Sequence, residues 1–183
     1  VSRIYTRTGD DGTTGLLYGG RVAKDHPAPA ACGDVDEAQA AIGVARAVAR
    51  PKLAGILVAV QRDLWVLMAE LATAPDNRHK LVEGQTLVTA AMVSALEPII
   101  DDVTSRVPPP HEFVLPGQTP LSAALDLARA VVRRAERTAL AAAAAGSLVG
   151  PYLNRLSDLL WALAREHEGQ PLPARTTSTI PKD

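Results

Sequence analysis

The 183-residue chain has one cysteine, one phenylalanine, two tryptophans and three tyrosines. A single thiol, Cys32, excludes a framework of internal disulfides and suits a reducing compartment. Scarce aromatics and few β-branched runs speak against a sheet core, whereas abundant alanine favours packed helices. Neither sign of charge dominates: the net charge is -1, which gives no general nucleic-acid or membrane surface. No apolar run is long enough to span a bilayer and no secretory leader pattern occurs, so a cytoplasmic protein is expected. The G-x-x-x-x-G-K-[ST] phosphate loop is absent, as is a glycine fingerprint set in a strand–turn–helix unit. The four histidines, His26, His79, His111 and His167, have no metal-site spacing, and no metal ligand is assigned. There is no internal repeat and no alternating strand pattern.

What is present reads as helices. "PAPAAC", Pro27 to Cys32, reads as a stiff connector. Asp34 or Asp36 then caps a helix reaching about residue 49, stopped by Pro51. Residues 53–74 are apolar-periodic and end at Pro75. Residues 89–105 contain Pro98, which predicts a kink or a split. A proline-rich link holding Phe113 precedes a long helix over 121–145, closed by Gly146. Pro151 starts the last helix, which runs to about residue 167. One domain over 1–183 is expected: an N-terminal loop to residue 33, an antiparallel helical bundle over 34–168, and a tail without fixed structure from about 169.

The opening "IYTRTGDDGTTGLLYGGRVAKD" is polar and glycine-rich. Gly9, Gly12 and Gly15 let the backbone turn sharply and aim N–H groups inward, the threonines offer hydroxyls, and Arg7 and Lys24 add positive charge. That chemistry suits phosphate. A plain N-terminal turn explains the composition equally well.

On the long helix, Asp126, Arg129, Arg133, Glu136 and Arg137 fall on one arc at 100° per residue, with Leu127, Ala128, Val131 and Ala135 mostly opposite. Two readings stand: a solvated face with intrahelical ion pairs, worth about 0.3–0.5 kcal/mol each, or an anion site built from arginine forks. Asn154, Asp158 and Arg165 share a face of the last helix, and spacing does not decide whether Asn154 faces the arginines.

Three segments, "IYTRTGDDGTTG" with R-x-x-KD, "CGDVDEAQAAIG" and "FVLPGQTPLSAALDLARAVVRRAER…NRLSDLLWALAR", resemble the PduO-type ATP:cob(I)alamin adenosyltransferases. The likeness runs from Ile4 to about Arg165, with motifs in the family's order. It implies an all-α, five-helix bundle that assembles as a homotrimer, with active sites between subunits. It implies transfer of the adenosyl group of ATP to the cobalt of reduced cobalamin, releasing triphosphate, with Mg²⁺ accompanying the nucleotide. By position, Thr6, Arg7, Thr8, Gly9, Thr14, Gly15 and Lys24 match the loop around the triphosphate. Arg133, Arg134, Glu136, Arg137 and Asn154 match the ATP-binding positions of the last two long helices. Asp36 and Arg129 match an intersubunit salt bridge that orders the site, although a helix cap and an exposed charge explain them singly. Phe113 matches a phenylalanine under the corrin ring, where it displaces the lower ligand and eases reduction; otherwise it plugs a gap between helix ends.

The resemblance also implies a reductase and an adenosylcobalamin-dependent mutase as partners. This chain departs from the family at Gln118, where glycine is usual, at Asp126, where histidine is common, and at Val132, where cysteine is common; no aromatic follows Trp161. Two other functions fit the same sequence. One is a carrier that hands adenosylcobalamin to a mutase. The other is a helical interaction module without catalysis.

Overall fold

The computed structural model describes residues 4–107 and 109–175. Among these, a short hairpin of β1 (Thr13–Gly15) and β2 (Arg21–Ala23) precedes six helices: α1 (Pro27–Ala47), α2 (Pro51–Leu71), α3 (Ala90–Ser94), α4 (Glu97–Arg106), α5 (Pro120–Ala139) and α6 (Val149–His167). A 3-10 turn, Pro75–Lys80, follows α2.

The long helices bury their apolar residues at alternating spacings of four and three. On α1 the buried positions are Ala31, Val35, Ala38, Ile42 and Ala45. On α2 they include Leu53, Leu57, Val60, Leu64, Leu67 and Leu71. On α5 Leu125, Ala128, Val132, Ala135 and Ala139 follow the same rule. Such a repeat keeps one seam facing a nearly parallel or antiparallel neighbour, the geometry of helical bundles. Alanine on α1 lets α5 and α2 approach closely, and α6 packs on α5 and α4 with its leucines buried. α5 packs most extensively against α6 and α1.

Several boundaries differ from the sequence expectation. α1 begins at Pro27, because His26 Nδ1 accepts the Ala28 N–H at 3.1 Å and a proline is pre-shaped for the first helical turn. "PAPAAC" is therefore helix, and Asp34 and Asp36 lie inside it instead of capping it. α5 ends at Ala139, earlier than 145. Ser147 must reach the buried Glu70 at 2.7 Å, so the chain leaves the helix before that turn. The helix expected over 89–105 is split just ahead of Pro98, which occupies the first turn of α4 where its missing N–H does no harm. The hairpin was not expected from the sequence. Of the tail expected to lack structure, residues 170–175 are ordered against the Phe113 segment, since Leu115 N–H donates to Leu172 C=O and Ala174 N–H to Phe113 C=O, both at 2.8 Å. The rest of that tail lies outside the described residues.

Glu70, at 2% exposure, ties one end of the bundle together. Its carboxylate accepts from Arg78 Nη2 at 3.0 Å, Ser147 Oγ at 2.7 Å and Val88 N–H at 2.9 Å. A buried carboxylate is tolerable only when its lone pairs are satisfied in this way. At the same end, Thr138 Oγ1 donates to Asp34 at 2.5 Å, and Leu17 N–H donates to Ala72 C=O at 2.8 Å. The start of α1, the end of α2, the end of α5 and the hairpin thus share one end of the bundle. No helix among the described residues is long and apolar enough to cross a membrane.

Candidate active site

The opening segment is a shaped loop. Asp10 N–H returns to Arg7 C=O at 3.3 Å and Gly12 N–H to Gly9 C=O at 3.2 Å, and Lys24 N–H closes on Gly12 C=O at 2.9 Å. A Cβ on Gly9 would sit 3.1 Å from Thr13 O and 3.3 Å from Lys24 Nζ, so the absent side chain is what admits the lysine. Thr6 and Thr8 hydroxyls lie 2.8 Å apart. Thr14 pairs with Val22 and Gly15 with Arg21 across the hairpin. The loop therefore brings Thr6, Arg7, Thr8, Gly9, Thr14, Gly15 and Lys24 into one element.

Arg21 organises that element. Its Nε donates to Thr13 Oγ1 at 3.0 Å, and its Nη2 donates to Thr8 C=O at 2.6 Å and Thr13 Oγ1 at 2.5 Å. Asp11 takes the Thr13 N–H at 2.9 Å and hydroxyl at 2.8 Å, and these hydrogen bonds hold its carboxyl below the usual carboxylate range. The R-x-x-KD spacing had marked Arg21 in the sequence without giving it this task.

On the bundle, Asn154 Nδ2 donates to Glu136 Oε1 at 3.1 Å, joining α6 to α5. Arg133 and Arg137, one turn apart on α5, are exposed and have no hydrogen-bond or ion-pair partner among the described residues. The intrahelical pairing weighed for them is not what the structure shows. Arg134 differs: it pairs with Glu37 and, at 3.6 Å, with Asp34, both on α1. Within one chain no hydrogen bond or ion pair among the described residues joins segment 6–24 to Arg133, Arg137 or Asn154.

A cleft of about 520 Å³ lies farther down α5. Phe113, Asp126, Arg129, Trp161, Arg165 and Arg175 are among its walls. Phe113 is 80% exposed, so it plugs no gap between helix ends within the chain. The wheel had placed Asp126 and Leu127 the wrong way round: Asp126 is buried and Leu127 exposed. Asp126 is covered because Arg165 of α6 reaches it, Nη2 to Oδ2 at 2.5 Å. Arg165 is itself 6% exposed, unlike Asn154 and Asp158 with which the wheel grouped it. Glu168 Oε2 stands 3.0 Å from Arg165 Nε, and burial raises the Glu168 carboxyl above its ordinary value despite that arginine. Arg129 Nε lies 3.4 Å from Asp126 Oδ1. Asp36 is exposed on α1 and has no partner within the described chain, so it and Arg129 do not meet inside one subunit.

A family model described as cobalamin adenosyltransferase matches residues 4–167. The corrinoid adenosyltransferase of Mycobacterium leprae is 44% identical over 173 residues, covering 90% of this chain and 91% of that protein. Corrinoid adenosyltransferase PduO of Salmonella typhimurium is 39% identical, covering 98% of this chain and 54% of that protein. A variant PduO-type ATP:corrinoid adenosyltransferase from Lactobacillus reuteri, solved in complex with cobalamin and ATP, superposes with a TM-score of 0.85 at 30% identity, covering 96% of this chain and 98% of that one. Matched by that family model over residues 4–167 and by relatives and a solved structure along nearly its whole length, the chain belongs to the cobalamin adenosyltransferase family, in its PduO type.

Proposed function

We propose that the chain transfers the 5′-deoxyadenosyl group of ATP to the cobalt of cob(I)alamin, giving adenosylcobalamin and triphosphate. The observation that carries this reading is the layout of α5. Its unpartnered cations, Arg133 and Arg137, begin one turn beyond Arg129, which lines the Phe113 cleft; the axial step from 129 to 133 is about 6 Å at 1.5 Å per residue. The unpartnered arginines and the Phe113 cleft are thus adjacent turns of one helix, a spacing that a nucleotide spans between its phosphates and its ribose.

In this reading the cobalt supplies the electron pair that forms the bond to C5′. The bond from C5′ to the phosphate oxygen breaks, and triphosphate leaves with that bond's electrons. The protein supplies no nucleophile. Arg133 and Arg137 take the leaving charge, and the pre-paired Asn154–Glu136 couple offers its remaining donor and acceptor to the nucleotide. Arg134, engaged by Glu37 and Asp34, braces α5 on α1 and adds its charge from farther away. Mg²⁺ travels on the phosphate oxygens, as it commonly does with nucleotides.

The loop of residues 6–24 closes on the triphosphate from a neighbouring copy, which its lack of bonds to Arg133 and Asn154 in one chain leaves room for. A homotrimer is the assembly we infer. The Asp34–Thr138 and Glu37–Arg134 contacts set an antiparallel register that brings Val44 level with Leu127, 58% and 57% exposed. Exposed side by side, such residues suit a subunit contact, and the unpartnered Asp36 stands on the same helix as Val44 to meet Arg129 of the next copy. A reductase delivering electrons to cobalt and a mutase using the product are the partners this chemistry needs.

The test mixes the protein with ATP, Mg²⁺ and chemically reduced cobalamin. The visible spectrum should change to that of a light-sensitive cobalt–carbon product, with triphosphate released in equal amount. Unchanged cob(I)alamin would overturn the reading.

A further inference from the structure

The floor of the Phe113 cleft holds a charge cluster that the transfer step does not use. Asp126 lies between two arginines: Arg165 reaches its Oδ2 at 2.5 Å, and Arg129 Nε faces its Oδ1 at 3.4 Å. Arg165 also has Glu168 beside its Nε at 3.0 Å, though without an aligned hydrogen bond, and its guanidinium stands 5.9 Å from the Trp161 ring. Asp126, Arg165 and Glu168 are all about 5% exposed. Buried ion groups of this kind contribute little net stability over an apolar packing of the same volume. What they do supply is fixed geometry, and this cluster lies where α5, α6 and the Phe113 loop meet. The sequence feature beneath it is Asp126, one of the three positions, with Gln118 and Val132, at which this chain departs from the pattern of the family it resembles.

We propose that Asp126 is a positioning residue for the corrinoid cleft. Resting on the transferase reading above, the claim has two parts. Asp126 holds Arg165 as the charged floor beside Trp161. It also engages the Nε edge of Arg129, so that the two terminal nitrogens of Arg129, which have no partner among the described residues, stay turned away from Asp126 and available to a carboxylate or ligand at the cleft mouth. A neutral residue at position 126 would leave Arg129 free to rotate and Arg165 without its closest counter-charge.

Two measurements decide it. In the unmodified protein, the Arg129 Nε–H, which faces the Asp126 carboxylate at 3.4 Å, should exchange with water at least roughly tenfold more slowly than that of the exposed, unpartnered Arg133. Equal exchange rates would overturn the proposal, and this readout needs neither a variant nor turnover, so it stands apart from success or failure of the transferase assay. The second is a double-mutant cycle on KM for the corrinoid. Asp126→Asn should raise that KM by about tenfold while the KM for ATP stays within about twofold. Arg129→Lys, which leaves the buried Asp126–Arg165 pair intact, should show a similar rise, and the double variant should be little worse than either single one. Losses that multiply, or an equal rise in KM for ATP, would show that Asp126 does not act through Arg129.

Discussion

Asn154 on α6 and Glu136 on α5 are joined at 3.1 Å, between two arginines of α5 that nothing in the described chain engages. An asparagine that spends one donor on a glutamate keeps its carbonyl and its second N–H for a ligand. The same glutamate, so occupied, repels an incoming phosphate less than a free one. The neighbouring Arg134 has the opposite arrangement, with its fork already filled by carboxylates of α1.

This contrast separates binding from bracing. Arg133→Ala should leave the melting temperature unchanged and raise the KM for ATP, or lower kcat, by at least about tenfold, the value of one charge-assisted contact. Arg134→Ala should lower the melting temperature slightly and disturb ATP kinetics less. Steady-state kinetics beside thermal unfolding of the two variants checks it. Wild-type ATP kinetics in Arg133→Ala would remove that residue from the site.

Arg21 makes a different kind of claim on the nucleotide. Its donors go to Thr8 C=O and Thr13 Oγ1, so it shapes the loop. Arg21→Lys retains the charge but cannot bridge two acceptors with a planar fork. The lysine variant should therefore raise the KM for ATP almost as much as Arg21→Met, and the loop should become more open to limited proteolysis in both. Full rescue by lysine would mean that charge alone matters.

Much of the bundle was legible because burial follows period. The four-and-three spacing of Leu53, Leu57, Val60, Leu64 and Leu67 fixes the inward face of α2 without any tertiary information. Pro98 likewise marked the break between α3 and α4. The start of α1 was not legible, because "PAPAAC" offers prolines that serve equally in a stiff link or a first helical turn, and His26 is an uncommon cap. Asp126 was misplaced for a related reason: a helical wheel assigns faces by angle alone, while burial of that carboxylate depends on Arg165 arriving from another helix. The motifs picked out the candidate site residues as a set. Which of them pair within the chain was not legible: that needed the contacts of Arg21, Arg134 and Asn154.

Glu70 should be the most stability-sensitive polar position. Glu70→Ala leaves Arg78, Ser147 and the Val88 N–H without their shared acceptor. Breaking a buried ionic contact on one side costs about 3–5 kcal/mol, and for a chain of this size each kcal/mol lowers the melting temperature by about 2–4 °C. Glu70→Gln keeps one acceptor oxygen and should lose less. Thermal unfolding at fixed protein concentration reads both, and a melting temperature within about 2 °C of wild type for the alanine variant would contradict the assigned tie.

The pH dependence follows from Glu168. Burial raises its carboxyl above the ordinary glutamate value, with Asp126 adding to that rise and Arg165 only partly opposing it. The folded protein thus holds this proton to higher pH than the unfolded chain does. Its ionisation penalises folding: the penalty is absent below the ordinary value of 4.5, grows between that and the raised folded value, and is constant above it. Glu168→Gln carries no such penalty. The melting temperature of the variant relative to wild type should therefore become more favourable from pH 4 upward to neutrality. A difference that stays flat or runs the other way would show that Arg165 outweighs burial.

Phe113 carries the last prediction, because the proposed reading gives it a part in cobalt reduction. Its side chain is 80% exposed, while its backbone is pinned by Ala174 N–H at 2.8 Å and its segment by the pairing of Leu115 with Leu172. Phe113→Ala should thus leave folding and the loop's path intact, since truncating an exposed side chain rarely moves stability far. What it removes is the exposed apolar surface that the proposed reading sets against the lower face of the corrin. If that surface displaces the lower ligand and makes cobalt easier to reduce, turnover starting from cob(II)alamin with a reductant should fall far more than turnover from pre-reduced cob(I)alamin, in which the difficult electron has already been added. Parallel assays from the two oxidation states give the ratio directly. Equal losses would instead place Phe113 in corrinoid binding alone, and a variant as active as wild type from cob(II)alamin would take it out of the reaction.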